Sequence, residues 1–467
     1  MTALAPTIEA AVARVAAGEA VSALATAHLD ALARVGDSLN AVARREPEAA
    51  AQMAARLDDL SPDHRGPLHG APLAHKDLYG REGWRLEAGL KVMQGHRATQ
   101  TATSIAALDR AGALDLARLN TVEAALGGEG LNAHTGPVRN PWNPAHVTGG
   151  SSSGSGAAVA AGAVPAALGS DTGGSIRLPA AACGLVGLKP TAGLIGRSGV
   201  FALSGTLDTV GPLTRTVRDA ALLTNAMAGH DPADPQSVAR PLVDHLHGIE
   251  DGLRGLKIGL PDRYFLDPVV PEVAARLDAA RALLEAEGAR VTSVSAEGFE
   301  TANRLAMLII GVEAAAQHAP LLATRAAEYG PVTRRRLMPG LFQDAGAYLR
   351  ALGRRASLLR EALDGPFAQI DALFLPTWTM EIPTIAELEE SVANGGKAAE
   401  DIGHCTRPVN LLGCPAISVP CGLTPNGLPT AFQLVGRPFS EPLLLRMARG
   451  FERAFSFLED HSPQIRA

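Results

Sequence analysis

Apolar residues near the start of the chain recur at helical spacing. Residues 8–57 are rich in alanine, and Val12 and Val15, then Val21 and Leu24, are spaced as one face of a helix requires. We therefore predict two or three helices in this segment.

The pattern changes after residue 65. The apolar run in "GAPLAHKD" ends at Lys76 and Asp77 and is typical of a buried strand with a lysine at its end. "SIAALDRAGALDLARLN", residues 104–120, predicts a helix, a stop at Gly112 and a strand. The same order recurs over residues 271–294, directly after the apolar "LKIGL". Such alternation favours a parallel or mixed sheet.

The C-terminal part predicts two strands and a helix. "PAISVP" and "TAFQLVG" flank a turn that contains Pro425, Asn426 and Gly427, and the segment Glu441 to Phe455 predicts a final helix. Neither an internal repeat nor a low-complexity linker divides the chain, and its length allows either two or three modest domains or one large α/β unit.

Composition limits the partners. The net charge is −6 over 467 residues, and no run of five basic residues appears. The sequence therefore lacks the basic cluster that binding to nucleic acid or to an anionic membrane would require. The four cysteines have no CxxC spacing, which indicates reduced thiols without a metal. We expect a cytoplasmic protein without a cofactor or metal, acting on a small molecule without contacting a membrane, and a homodimer is compatible with the sequence.

Two glycine- and serine-rich segments stand out, GGSSSGSG at 149–156 and GSDTGGSIR at 169–177. A flexible linker is one interpretation of the first, but the apolar "AAVAAGAVPAALG" that follows suits a buried helix and strand. A phosphate-binding loop is a second, although neither GxxxxGK[ST] nor GxGxxG is present. The third is nucleophilic catalysis by Ser175, with the backbone amides of Thr172, Gly173, Gly174 and Ser175 around the substrate oxygen.

A nucleophilic serine needs a base. No histidine lies in a convincing motif, and six of them are scattered among loop-like stretches: His75, His96, His134, His146, His230 and His404. A lysine serves instead if burial lowers its pKa towards neutrality, and Lys76 follows an apolar run that would provide this. From spacing alone, a solvated surface lysine remains the alternative.

These segments resemble the amidase signature family. The similarity includes GGSSSGSGAAVAAG, GSDTGGSIRLPAAACGLVGLKPT, "GAPLAHKD", "GTLDTVGPLTRTVRDAA" and "TRPVNLLGCPAISVPCG", and runs from about residue 66. It implies a catalytic domain over 66–467, with residues 1–65 as a helical segment packed on its core. The implied fold is a single large α/β domain in which helices cover both faces of a central, mixed, twisted sheet.

The resemblance also implies an amide hydrolase with a Ser–cis-Ser–Lys triad. Ser175 would be the nucleophile, Ser151 the relay, joined to its neighbour by a cis peptide bond, and Lys76 the base. Ser152, Asp171 and Arg177 would support the triad by hydrogen bonds. Polar loop residues without such a role are the alternative for Asp171 and Arg177.

Two positions depart from the family pattern. Ser153 replaces a common glycine and is expected to restrict the backbone of the loop. His75 precedes the lysine where an aliphatic residue is frequent, and it is expected to influence the electrostatics of Lys76.

Other functions stay open at this point. An α/β-hydrolase would use Ser152 within the GxSxG of residues 150–154. The family also includes glutamine-hydrolysing subunits of tRNA-dependent amidotransferases, and a catalytically silent scaffold is a third alternative. Amides, carbamates, hydrazides and ureas all offer a carbonyl to the same nucleophile. We expect the substrate pocket around Trp378 and residues 305–348, with Trp378 equally suited to the core.

Overall fold

The structure, a computed structural model, describes residues 4–394, 402–461 and 463–467. The described residues form helices that we number in chain order: α1 Ile8–Ala16, α2 Val21–Leu39, α3 Pro47–Asp58, α4 Thr103–Arg110, α5 Ser153–Ala160, α6 Arg177–Ala182, α7 Val217–Met227, α8 Pro271–Ala286, α9 Phe299–Arg325, α10 Pro331–Leu337, α11 Ala345–Asp364, α12 Ile385–Ala393, α13 Arg407–Leu412, α14 Glu441–Ala454 and α15 Phe457–Asp460.

The strands belong to one sheet: β1 Val42–Arg45, β2 Pro72–Lys76, β3 Leu114–Leu119, β4 Ala166–Asp171, β5 Val186–Lys189, β6 Thr209–Thr214, β7 Lys257–Pro261, β8 Arg290–Val294, β9 Ala372–Pro376, β10 Ala416–Leu423 and β11 Pro429–Val435. Their order is β1-β3-β2-β4-β6-β5-β10-β11-β9-β7-β8. The sheet is mixed, because β2 runs parallel to β3 and β4, while β4 pairs antiparallel with β6.

Helices cover both faces of this sheet. Leu73 and Ala74 are consecutive in β2, and their side chains point to opposite faces. Leu73 packs in an apolar cluster with Ile105 of α4, and Ala74 packs in another with Leu32 of α2. The α/β fold that the resemblance implied is confirmed.

Most of the predicted elements are present. The strand ending at Lys76, the helix and strand of residues 103–119, the parallel pair β7 and β8 around α8, and the antiparallel pair β10 and β11 all form. The N-terminal segment has its helices but also contributes the edge strand β1, which the sequence pattern did not predict. Only four residues long and carrying two arginines, β1 has no apolar alternation to detect.

Helix α9 is 27 residues long and shares an apolar cluster with β9 and β10. The stretch Phe299–Glu328 is, among the described residues, the one that is long and apolar enough to cross a membrane by length and composition. Within it, the buried Glu313 accepts hydrogen bonds from Ser204, Thr206 and Tyr348. The helix is therefore tied to neighbouring segments by polar side chains, and one of its faces borders the site described next.

Candidate active site

The site lies where two parallel strands end. Lys76 is the last residue of β2 and Asp171 the last of β4, and the two strands pair in parallel. Their carboxyl ends therefore meet at one edge of the sheet, the usual position for a site in an α/β protein. The segment GGSSSGSG includes the first turn of α5, which leads into β4, so its serines lie at the same edge of the sheet.

Lys76 is fully buried and contacts two hydroxyl groups. Its Nζ lies 2.7 Å from Oγ of Ser151 and 2.8 Å from Oγ of Ser170. Burial lowers the pKa of Lys76 to about 7, although the carboxylates of Asp208 and Asp171 oppose this shift. Burial thus favours the neutral amine, the form that a proton acceptor requires.

The segment GGSSSGSG is not a solvated linker, because residues 149–156 are all buried. The peptide bond between Gly150 and Ser151 is cis, in agreement with the expectation for the relay serine. A Cβ at Gly154 would lie 2.3 Å from the carbonyl oxygen of Ala41, so only glycine fits there. Tight packing against the neighbouring segment thus fixes the backbone that presents Ser151.

Ser175 faces a large cavity. The cavity has a volume of about 610 Å³, and Thr172, Gly173 and Ser175 form part of its wall. Ser175 itself is 7% exposed, whereas Ser151 is fully buried. A substrate carbonyl can therefore reach Ser175 from the cavity, whereas Ser151 and Lys76 are fully buried and do not line it.

The loop before Ser175 offers backbone donors to this cavity. The N–H groups of Gly173 and Ser175 donate to no atom in the part of the chain that the structure describes. The N–H of Gly174 differs, because it donates to Oδ1 of Asp171 at 2.7 Å. This contact argues against Gly174 as an oxyanion donor and leaves Thr172, Gly173 and Ser175 of the set expected from the sequence.

Asp171 and Arg177 brace this loop from within. Both side chains are fully buried, and two guanidinium nitrogens of Arg177 lie 3.0 Å from the two carboxylate oxygens of Asp171. Burial raises the pKa of Asp171, but the charge and hydrogen bonds of Arg177 outweigh it and lower the pKa to about 2. The carboxylate is thus ionised, and it also accepts from the N–H groups of Gly174 and Ile176.

Ser152 joins the same loop to the sheet. Its Oγ lies 3.3 Å from the backbone nitrogen of Ser170, and its N–H donates to the carbonyl of Ser175 at 3.3 Å. These contacts agree with the supporting position that the resemblance implied. A nucleophile of the GxSxG type would instead face the cavity, and Ser152 is fully buried.

Several residues of the site were missed by sequence reasoning. Ser170 contacts Lys76, and Asp208 accepts a hydrogen bond from Oγ1 of Thr172. Asn410 and Gln433 contact Arg177 at 2.7 Å each. A signal existed for three of them, because Ser170 lies in GSDTGGSIR, Asp208 in "GTLDTVGPLTRTVRDAA" and Asn410 in "TRPVNLLG".

The two departures from the family pattern leave the site intact. Ser153 begins α5, and its φ lies outside the left-handed region, so glycine is not needed there. Burial lowers the pKa of His75 to about 3, which keeps the ring neutral, and its Nε2 faces Asp115 on β3 at 3.8 Å. His75 therefore adds no full charge near Lys76.

The cavity wall is only partly where the sequence predicted it. Residues from α9 and from the segment 335–343 line it, as expected for the stretch 305–348. Trp378 does not line it; its indole is 1% exposed, packs in an apolar cluster and donates to the carbonyl of Leu178. Of the two alternatives for Trp378, the core position is the one observed.

The folded chain thus brings a buried lysine, the two hydroxyls that it contacts and a cavity-facing serine to one end of the sheet. The family model described as Amidase matches residues 23–445. The chain belongs to this family and is a hydrolase of amide C–N bonds.

Individual relatives show the same relationship. The chain is 38% identical to a glutamyl-tRNA(Gln) amidotransferase subunit of Chloroflexus aurantiacus over 472 residues, which covers 96% of each protein. It matches a chain from the vestigial complex described for an s-triazine catabolic enzyme with a TM-score of 0.88 at 30% identity, covering 99% of this chain and 100% of that one. A bacterial aryl acylamidase of the amidase signature family matches with a TM-score of 0.87 at 27% identity, covering 97% and 96%.

Proposed function

We propose that the chain hydrolyses a small-molecule amide through an acyl-enzyme on Ser175, with Ser151 as relay and Lys76 as base. The observation that carries this proposal is the 2.7 Å contact between Nζ of Lys76 and Oγ of Ser151, in a fully buried setting that lowers the pKa of the lysine to about 7. We propose that the protein is cytoplasmic and acts alone or as a homodimer.

The reaction needs no group from outside the chain except water. Oγ of Ser175 bonds to the carbonyl carbon while its proton passes to Ser151, whose own proton passes to Lys76. The oxygen that becomes negative accepts hydrogen bonds from the N–H groups of Gly173 and Ser175, with Thr172 as a further donor. The C–N bond then breaks as the leaving nitrogen takes the proton back, and water releases the acid in a second, equivalent step.

Carbamates belong to the same proposal. A carbamate presents its carbonyl to Ser175 as an amide does, and a cavity of about 610 Å³ accepts bulky groups on either side of that carbonyl. The protein would then also act as a urethanase.

A panel of amides, esters and carbamates, each followed by release of the amine or alcohol, tests this function. We expect Ser175→Ala and Ser151→Ala to lower kcat by at least about a thousandfold. Ser155→Ala is the matched control. Ser155, in α5, is buried like Ser151, but its hydroxyl donates to the carbonyl of Leu168. Unchanged turnover in Ser175→Ala, or an equal loss in Ser155→Ala, would contradict the proposed triad.

The acyl-enzyme can be observed directly. An activated carbamate should add its carbamoyl mass to the intact protein, and peptide mapping should place the addition on Ser175. Labelling of Ser152 instead would favour the α/β-hydrolase mechanism that the GxSxG pattern suggested.

The amidotransferase alternative has one specific observation in its favour, the 38% identity to a glutamyl-tRNA(Gln) amidotransferase subunit over nearly the whole chain. Under this alternative the chain would release ammonia from glutamine for a partner protein. Ammonia release from glutamine, measured with the purified chain and after purification of an affinity-tagged chain from its native cells, separates the two functions. Glutaminase activity that appears only with a co-purified partner would favour the alternative.

A further inference from the structure

The cavity beside Ser175 differs in charge from the rest of the protein. The chain carries a net charge of −6, yet the charged residues among the described lining are all arginines, Arg335, Arg336 and Arg407. The remaining lining is mostly aliphatic or glycine, including Leu178, Leu203 and Ile310. An apolar wall with cationic groups at separate points suits a molecule with an apolar body and a negative charge.

The three arginines are held differently. Arg336 forms an ion pair with the buried Glu129 at 2.7 Å, which compensates its charge. Arg407 donates from Nε to Asn303, and its Cγ lies close to where a Cβ of Gly173 would be, so it flanks the loop of Ser175. Both are parts of the cavity's framework.

Arg335 is exposed, and one of its Nη atoms donates to the carbonyl of Val392 at 2.7 Å. It forms no ion pair with any of the described residues. The single contact anchors the guanidinium at the junction of α10 and α12 while its other N–H groups stay available. Since Val392 also lines the cavity, this junction is part of the rim.

We propose that Arg335 binds an anionic group, such as a carboxylate, on the substrate, and so makes the enzyme selective for amides that carry a negative charge at the end remote from the scissile bond. This proposal rests on the proposed function, since it concerns the substrate of the same site. Ser175, which is 7% exposed, and Arg335, which is exposed, line the same cavity together with the aliphatic residues named above. Arginine suits this role because its fork of N–H donors matches the two oxygens of a carboxylate.

Two series of p-nitroanilides test this directly. One series derives from straight-chain diacids and keeps a free carboxylate at the far end; the other derives from monoacids of the same chain length. We expect kcat/KM for the best anionic substrate to exceed that of its neutral counterpart by about tenfold or more at low ionic strength, and the ratio to fall as salt is added.

The variants isolate Arg335. Arg335→Gln should bring the ratio of anionic to neutral kcat/KM close to one, and Arg335→Lys should retain part of the selectivity. Arg334→Gln is the matched control, because Arg334 is also an exposed arginine of α10 but does not line the cavity. A ratio that Arg335→Gln leaves unchanged, or that Arg334→Gln lowers equally, overturns the proposal.

Equilibrium binding separates this inference from the proposed function. With Ser175→Ala protein, which should not cleave the anilides, calorimetry should show tighter binding of the anionic series, and the added Arg335→Gln change should remove the difference. Selective binding without hydrolysis in the unmodified enzyme would retain the anion site and reject the amidase mechanism. Hydrolysis of both series at equal rates would reject the anion site alone.

Discussion

Two lysines, Lys76 and Lys189, hold matching positions in the sheet. Each is the last residue of a strand, β2 or β5, and each side chain is fully buried. Burial lowers the pKa of Lys76 to about 7 and that of Lys189 to about 8. Judged by burial and pKa alone, either lysine qualifies as a base.

Their contacts separate them. Nζ of Lys76 touches the hydroxyls of Ser151 and Ser170, whereas Nζ of Lys189 donates to the carbonyl of Pro190 at 2.9 Å. A hydroxyl gives up a proton to a neutral amine, and a carbonyl oxygen has none to give. Burial lowers the pKa of both lysines, but of the two only Lys76 contacts hydroxyl groups.

Replacing each lysine by methionine tests which of the two is needed for activity. We expect Lys76→Met to lower kcat by about a thousandfold or more, since the base is lost, and Lys189→Met to change kcat by less than about tenfold. Both changes keep a long, flexible side chain in a buried position, so thermal melting serves as the control for folding. Equal losses of activity in two folded variants would show that burial, and not the serine contact, defines the base.

The pH dependence of kcat/KM sharpens the same distinction. Lys76 acts when neutral, so activity should rise with pH through the pKa near 7 and fall about tenfold per unit below it. Lys189→Met should leave this acidic limb in place. If the decrease of kcat/KM at low pH disappeared in Lys189→Met, Lys76 would not be the group being titrated. The same would follow if kcat/KM decreased towards high pH instead.

Part of the difference between Lys76 and Lys189 could be predicted from the sequence. The apolar run before Lys76 predicted its strand and its burial, and the family resemblance supplied Ser151 and Ser175 as its partners. The position of Lys189 in "GLVGLKPT" is just as apolar, and nothing in local spacing distinguishes the two lysines. What distinguishes them is which segment packs above each strand end.

Long-range contacts account for most of what the sequence could not show. Asn410 and Gln433 reach Arg177 across 233 and 256 residues of chain, and Arg335 meets Val392 across 57. Such pairs depend on how β11, α10 and α13 are brought together, which periodicity does not encode. Gly174 is similar, because its N–H looked available in DTGGSI and is engaged by Asp171 only once the loop has folded.

We expect replacement of Ser170 to have the smallest effect on activity among these changes and to act specifically on the pH dependence. Its Oγ accepts a hydrogen bond from Nζ of Lys76, and an ammonium gains more from such a bond than a neutral amine does. Ser170→Ala should therefore disfavour the charged lysine and move the acidic limb of kcat/KM to lower pH by about one unit or less. The maximal value of kcat/KM should fall by less than about tenfold, because Ser151 still contacts the amine.

Ser155→Ala is the control. It removes a buried hydroxyl outside this network and should leave both the acidic limb and the maximal value of kcat/KM unchanged. A shift of the limb to higher pH in Ser170→Ala would mean that Ser170 holds the neutral amine and serves as a second proton donor to Lys76.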